Sequence, residues 1–237
     1  MNTADNLEQF LPILRTASIF SGMSDSEILS VLHCMGAFVS DKEKDSYLLR
    51  AGDMTSTMGL LLSGRAIVIQ EDVWGHRNIM AQILPGQTFA EPFAASNGTA
   101  LNISVTVIKD CSLLYLDIHR ILGVCPSACE HHTHLIQNLI CVLAKKLLLF
   151  NEKITHMSKR TTKEKLLSYL SAEAQRQGSL SFDIPYDRQQ LADYLCVERA
   201  AMSAELSRLQ KQGLLTTNKN HFILQSVPDD VNADILS

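Results

Sequence analysis

The stretch that decides the fold is Ser181-Phe-Asp-Ile-Pro-Tyr-Asp-Arg-Gln-Gln-Leu-Ala-Asp-Tyr-Leu-Cys-Val-Glu-Arg-Ala-Ala-Met-Ser-Ala-Glu-Leu-Ser-Arg-Leu-Gln-Lys-Gln-Gly-Leu-Leu215. It divides into two short amphipathic helices joined by a tight turn. Asp187 is placed to cap the first helix, whose inward positions are Leu191, Ala192 and Leu195. Cys196-Val197 supplies the turn, with Val197 expected to be buried between the helices. The second helix is expected from about Glu198 to Gln212, burying Met202, Leu206 and Leu209, with Gly213 ending it. This is the build of a helix-turn-helix, whose second helix enters the DNA major groove. Arg199, Ala200, Ser203, Ala204, Ser207 and Arg208 then remain on its outer face. The alternative reading is an ordinary helical hairpin inside a core.

Charge is distributed to suit such a reader. The 237 residues carry a formal net charge of −4, which argues against wholesale coating of nucleic acid. Residues 1–157 hold 11 Lys/Arg against 15 Asp/Glu, whereas residues 158–227 hold 10 against 7. An acidic tail follows, with Asp229, Asp230 and Asp234. A mildly basic head on an acidic body fits selective DNA contact, with repulsion limiting non-specific contact. A 46% hydrophobic and 19% charged composition fits a globular chain. No uninterrupted apolar run approaches the roughly 20 residues of a membrane span, and the N-terminus lacks a signal-peptide pattern. The expectation is a cytoplasmic protein without membrane association. Its six cysteines are then expected to stay reduced, with Cys111, Cys141 and Cys196 as small core residues.

Upstream, residues 5–35 look helical, with Ser24-Asp-Ser-Glu27 as a capping box. From about 37 to 118 the pattern changes to short strands, among them 47–52, 59–69, 78–84 and 103–108. Ala51-Gly52-Asp53, Ser63-Gly64 and Pro85-Gly86 are the expected corners. A long helix is expected over 128–158. Its Ile136, Ile140, Leu143, Leu147, Phe150, Ile154 and Met157 are spaced 4-3-4-3-4-3, a heptad seam suited to a second copy of the chain. A second stripe, Leu135, Leu139, Val142 and Leu149, is expected to cover the barrel; a buried helix in a monomer is the alternative. Thr161-Thr-Lys-Glu164 opens a further helix that Gly178 ends, Phe182-Asp-Ile184 reads as a strand, and 216–224 reads as a two-stranded wing turning at Asn218-Lys-Asn220. The fold class is therefore α+β: an N-terminal β-roll or jelly-roll barrel, a long dimerisation helix and a C-terminal winged helix-turn-helix. The expected boundaries are 1–127, 128–158 and 159–227, with 228–237 as the tail.

In this order the parts resemble the Crp/Fnr superfamily of bacterial transcription regulators, over about residues 7–225. The motif Phe182-Asp-Ile-Pro-x-x-Arg-Gln-x-Leu-Ala-Asp-Tyr-Leu-x-Val-x-Arg199 and the corner Phe89-Ala-Glu91 carry the resemblance. It implies a homodimer on double-stranded DNA with a two-fold symmetric operator, RNA polymerase as a further partner, a small-molecule effector and no enzymatic activity. Arg199 falls where the family's base-reading arginine lies, suited to guanine. Ser203 matches another base-facing position. Ala200 and Ala204 stand where many members have Glu and Arg, leaving apolar contact with thymine methyls. Arg188 and Gln189 match phosphate contacts, and Lys219 in the wing adds one.

The resemblance also locates an effector pocket at Glu91, Leu101, Asn102, Phe150 and Asn151. Cyclic-nucleotide-binding members carry Phe-Gly-Glu and, about ten residues on, an arginine that neutralises the phosphate. Here Ala90 replaces the glycine and Leu101 the arginine, and Phe150 aligns with a residue that meets adenine. A phosphate facing leucine lacks its counter-charge, so cyclic AMP is not the expected signal. Iron–sulfur members need several closely spaced N-terminal cysteines, and Cys34 stands alone. The remaining cluster is Cys125-Pro-Ser-Ala-Cys129-Glu-His-His132-Thr-His134. An exposed polar helix start, a haem or metal site using Cys125, Cys129 and His132, and redox-active thiols are all compatible with it. The expected function is a sequence-specific regulator whose signal is a small molecule other than cyclic AMP. The alternatives are a haem-dependent gas sensor, a thiol redox sensor or a constitutively active regulator of the same family, and, outside it, a ligand-binding scaffold that does not touch DNA.

Overall fold

The computed structural model describes residues 7–96, 98–123 and 130–225. It divides into two units, Met1–Leu147 and Leu148–Ser237. Cys125, Cys129 and the acidic tail lie outside the described residues.

In the first unit the N-terminal region expected to be helical is made of short pieces. A 3-10 turn at Glu8–Phe10 leads into α1 (Leu11–Leu14), a second 3-10 turn covers Ser18–Phe20, and α2 spans Asp25–Cys34. Pro12 sits in the first turn of α1, where its missing N–H costs nothing. The Ser24–Glu27 box does form: the Ser24 N–H donates to Glu27 Oε2 at 2.7 Å.

The strands follow as β1 (Phe38–Lys42), β2 (Tyr47–Leu49), β3 (Thr57–Glu71), β4 (Arg77–Ile83) and β5 (Thr88–Phe89). After α3 (Glu91–Ala95) comes β6 (Ser104–Asp117), and α4 (Ile118–Leu122) closes the run. All pairings are antiparallel, in the order β1-β6-β3-β4, with β2 also on β6 and β5 on β3. β3 and β6 pair along almost their whole length, from Thr57 opposite Asp117 to Ile69 opposite Ser104. Ser63-Gly64 is therefore not a corner but an irregularity inside β3, where the pairing register shifts. Gly64 has φ 87°, and a Cβ there would lie 2.2 Å from the Asp110 carbonyl, so the bulge admits only glycine.

Alternation sorts the side chains of β3. Leu60 and Leu62 join Leu14, Phe20, Ile28 and Leu32 in one cluster, while Leu61 joins Val105, Val107 and Leu113 in the other. A strand buried on both faces reads as a continuous apolar run, and Gly59-Leu-Leu-Leu62 does.

α5 (Glu130–Met157) lays Leu135, Leu139 and Val142 into the first of these clusters. Leu149, expected to join them, is 49% exposed and belongs to the second unit. Ile140, Leu147 and Ile154 are each more than 60% exposed, Phe150 is 39% exposed, and Ile136, Leu143 and Met157 are half-buried. By length and composition alone the helix matches a membrane span, with a mean hydropathy of 1.4 over an 18-residue window, a match that the core helix of a globular protein also makes. Lys145 and Lys146 interrupt its apolar surface.

In the second unit α6 (Thr162–Gln177) starts at the second capping box, with Thr161 Oγ1 accepting from the Glu164 N–H at 3.2 Å. It ends at left-handed Gly178. β7 (Ser181–Asp183) is a residue earlier than expected and leads to α7 (Arg188–Leu195) and α8 (Arg199–Lys211). The wing is β8 (Leu215–Asn218) and β9 (His221–Leu224), in a sheet ordered β7-β9-β8. Leu166, Leu170, Leu191, Leu195, Met202, Leu206, Leu209 and Phe222 form its buried interior.

Candidate functional site

α7 and α8 are set by local chemistry. The Asp187 carboxylate accepts from the Gln190 N–H at 2.8 Å, and the Gln190 side chain accepts from the Asp187 N–H at 3.1 Å. Cys196 ends α7 in the left-handed region, φ 52°, which turns the chain within two residues. That conformation leaves Cys196 exposed, and Val197 is only half-buried, less than expected. Cys141, on the outward side of α5, is exposed as well; of the three cysteines assigned to the core only Cys111 is buried. Burial pushes the Cys111 thiol up to about 11.

With Met202, Leu206 and Leu209 buried, Arg199, Ala200, Ser203, Ala204, Ser207 and Arg208 all face outward on α8. Their fates differ. Arg208 is paired with Glu205 at 3.1 Å, whereas Arg199, at the first position of α8, stands exposed next to the Glu198 N-cap. Gln189 donates to Asp193 at 2.7 Å. Lys219 occupies the wing tip at φ 53° and is exposed. Arg188 is committed inward: its Nη2 donates to Thr217 Oγ1 at 2.6 Å and its guanidinium carbon lies 5.0 Å above the Phe222 ring. Burial lowers the basicity of Arg188. It ties the wing to α7, a role that its sequence position did not reveal.

The end of α5 is also sunk into this unit. Lys153 is 3% exposed, its ammonium 4.7 Å from the centre of the Tyr194 ring, and His156 Nδ1 lies 2.8 Å from Ser168 Oγ. Tyr186 and Tyr194 stack on each other, and Tyr169 packs on both at tilted angles. Burial pushes the Lys153 ammonium down to about 8. Below that pH the folded and unfolded chains both carry the proton, and a desolvation penalty remains. Between about 8 and the ordinary lysine value near 10.4, only the unfolded chain holds it, so this group's contribution to stability rises with pH. The Lys153 Cε resonance should therefore titrate with a midpoint about two units below the other lysines. A midpoint among theirs would show that the ammonium is hydrated.

In the first unit the corner expected to border the effector pocket is Phe89-Ala90-Glu91. Ala90 adopts φ 67°, a conformation natural to glycine. Ala90→Gly is accordingly expected to raise stability by about 1 kcal/mol in thermal unfolding, and a loss of stability would show that the alanine methyl packs better than it strains. Glu91 opens α3 and is 2% exposed. Its carboxylate is already taken. Lys146 Nζ lies 2.7 and 3.0 Å from the two carboxylate oxygens and 2.5 Å from the Thr88 carbonyl. Leu101 is buried and Asn102 exposed in the same unit, while Phe150 and Asn151 are both exposed and belong to the second. Lys146 was missed in the sequence because its partner is 55 residues away. His132 is buried on α5; among the described residues no group of three or more His, Cys, Asp or Glu side chains is placed to hold a metal.

A β-roll followed by a long helix and a winged helix-turn-helix defines the two-module class of transcription regulators. Comparison with known proteins gives the family. A model of the cyclic nucleotide-binding domain matches residues 41–127, and one of the Crp-like helix-turn-helix domain matches residues 164–228. The chain belongs to the Crp/Fnr superfamily of transcription regulators. It is 23% identical to the transcriptional activator protein FnrL of Cereibacter sphaeroides over 211 residues, 84% of this chain and 81% of FnrL. Its fold is similar to that of the c-di-GMP-responsive global regulator CLP of Xanthomonas campestris, with TM-score 0.69 at 16% identity, covering 86% of this chain and all of CLP. It is also similar to a CooA mutant from Carboxydothermus hydrogenoformans, with TM-score 0.65 at 18% identity, covering 85% and 92%.

Proposed function

We propose that this regulator works as a homodimer in the cytoplasm, reading a two-fold symmetric operator in double-stranded DNA and passing a signal other than cyclic AMP to RNA polymerase. The observation that carries the reading is the outer face of α8, where Arg199, Ala200, Ser203 and Ala204 are exposed while Met202, Leu206 and Leu209 hold the helix down. Arg199 supplies a bidentate fork for guanine, and the two alanines offer methyl contact to thymine. Gln189 and Lys219 add contacts to phosphate. Arg188 contributes there mainly by holding the wing in place. Two such helices across a dimer axis would read half-sites one helical turn apart.

The operator can be obtained by selection from random duplex DNA and the complex followed by gel shift across a salt series. Arg199→Ala is expected to weaken cognate binding by about 1–3 kcal/mol and to relax preference at one base pair of each half-site. Undiminished affinity would remove Arg199 from the reading set. Binding without sequence preference or salt dependence would reject the regulator reading as a whole.

A further inference from the structure

We infer that Lys146 is a tethered ligand of its own sensor domain, filling the hydrogen-bonding positions at Glu91 so that no diffusible effector binds there. This deepens the regulator reading and takes its significance from it, but its evidence lies wholly within the first unit. An ammonium group has three donors. Here three acceptors surround it at hydrogen-bonding distance: both Glu91 carboxylate oxygens and the Thr88 carbonyl. No donor is left over for an incoming ligand, and Glu91, 2% exposed, has no open approach.

The classes of ligand can be taken in turn. A neutral diol would have to displace a full positive charge from a buried carboxylate while supplying none itself. A phosphate would meet Glu91 with its partner cation, Lys146, already neutralised and a buried leucine, Leu101, where a counter-charge would be needed. The site is thus electrically complete without a ligand. Its position explains what the pair does instead. Lys146 lies between the seam residues Leu143 and Leu147, at the end of the first unit. An anchor at that point fixes the rotation of α5 against Thr88 and Glu91 without any bound molecule. The signal of this regulator then enters elsewhere than at Glu91.

The test uses the full chain. Brief acetylation with acetic anhydride, read by mass spectrometry, compares Lys146 with its neighbour Lys145 on the same helix. Lys146 is expected to react about tenfold more slowly or less, since its hydrogen bonds to a charged partner must break first. In Glu91→Gln the two rates should converge. Equal rates in the wild type, or an unchanged ratio in a folded Glu91→Gln, would overturn the proposal. If Glu91→Gln does not fold, the wild-type ratio in native buffer against that in urea replaces it, and an identical ratio in both overturns the assignment. Calorimetry with cyclic AMP and cyclic GMP as probes completes the experiment. No saturable heat is expected, and a saturable heat lost in Glu91→Gln would overturn the claim directly. Failure of the protein to bind DNA would sink the regulator reading and leave the labelling ratio untouched.

Discussion

Replacing Lys146 with Met is expected to destabilise the first unit by about 3 kcal/mol, seen as a fall of roughly 10 °C in its thermal midpoint. The methionine keeps most of the apolar stem but leaves the Glu91 carboxylate charged, 2% exposed and facing a thioether. Losing one partner of a buried pair costs about 3–5 kcal/mol; the lower end applies because the lysine itself is 30% exposed. Adding Glu91→Gln should recover most of the loss, since a neutral amide then takes the place of the buried carboxylate that has lost its cation. Two units need not melt together, so the readout is hydrogen exchange of β3 and β6 amides as well as the midpoint. Unaltered protection in Lys146→Met would mean that the pair is solvated and contributes little.

Replacing Leu147 or Ile140 with Glu should convert dimers to monomers. Both side chains are 61% exposed in the single chain, so the substitution has little folded core to disrupt. In a paired seam it would bury two carboxylates, one from each copy, against apolar neighbours. A cost of about 4 kcal/mol or more corresponds to roughly a thousandfold rise in the dimer Kd. Light scattering at micromolar protein should then report the monomer mass with unchanged helix content, and operator binding should fall with it. A variant that stays dimeric would show that the seam lies on another face of α5.

What the sequence made legible was local. Capping boxes at Ser24, Thr161 and Asp187, the stop at Gly178 and the 3.6-residue spacing of Met202, Leu206 and Leu209 each depend on residues within a turn or two of one another, and each is present in the fold. The exposed heptad face of α5 was equally plain, as periodicity survives whatever the helix packs against. Signals whose meaning depends on distant chain were misread. Ser63-Gly64 has the composition of a corner, but pairing with β6 carries β3 straight through it. Cys141 and Cys196 are small apolar residues among apolar neighbours, yet helix azimuth and a left-handed turn place them outside. In the candidate site, the outward placement of Arg199 and Ser203 on α8 could be found from spacing. The lysine that meets Glu91, and the Thr217 and Phe222 that hold Arg188, could not, because no local pattern reports a partner 29 to 55 residues away.

The inward arginine on α7 bears on how this head could be re-engineered. Arg188 donates to Thr217 and stacks on Phe222, so the wing is fastened to the first helix of the reader rather than appended to the second. A new binding preference grafted by exchanging α8 alone would leave this fastening intact. Exchanging the wing alone would strand a half-buried guanidinium. The wing and α7 are therefore to be exchanged together, along with the α6 residues Leu166, Tyr169 and Leu170 that share their buried interior, and chimaeras cut at the wing should lose affinity for every operator alike.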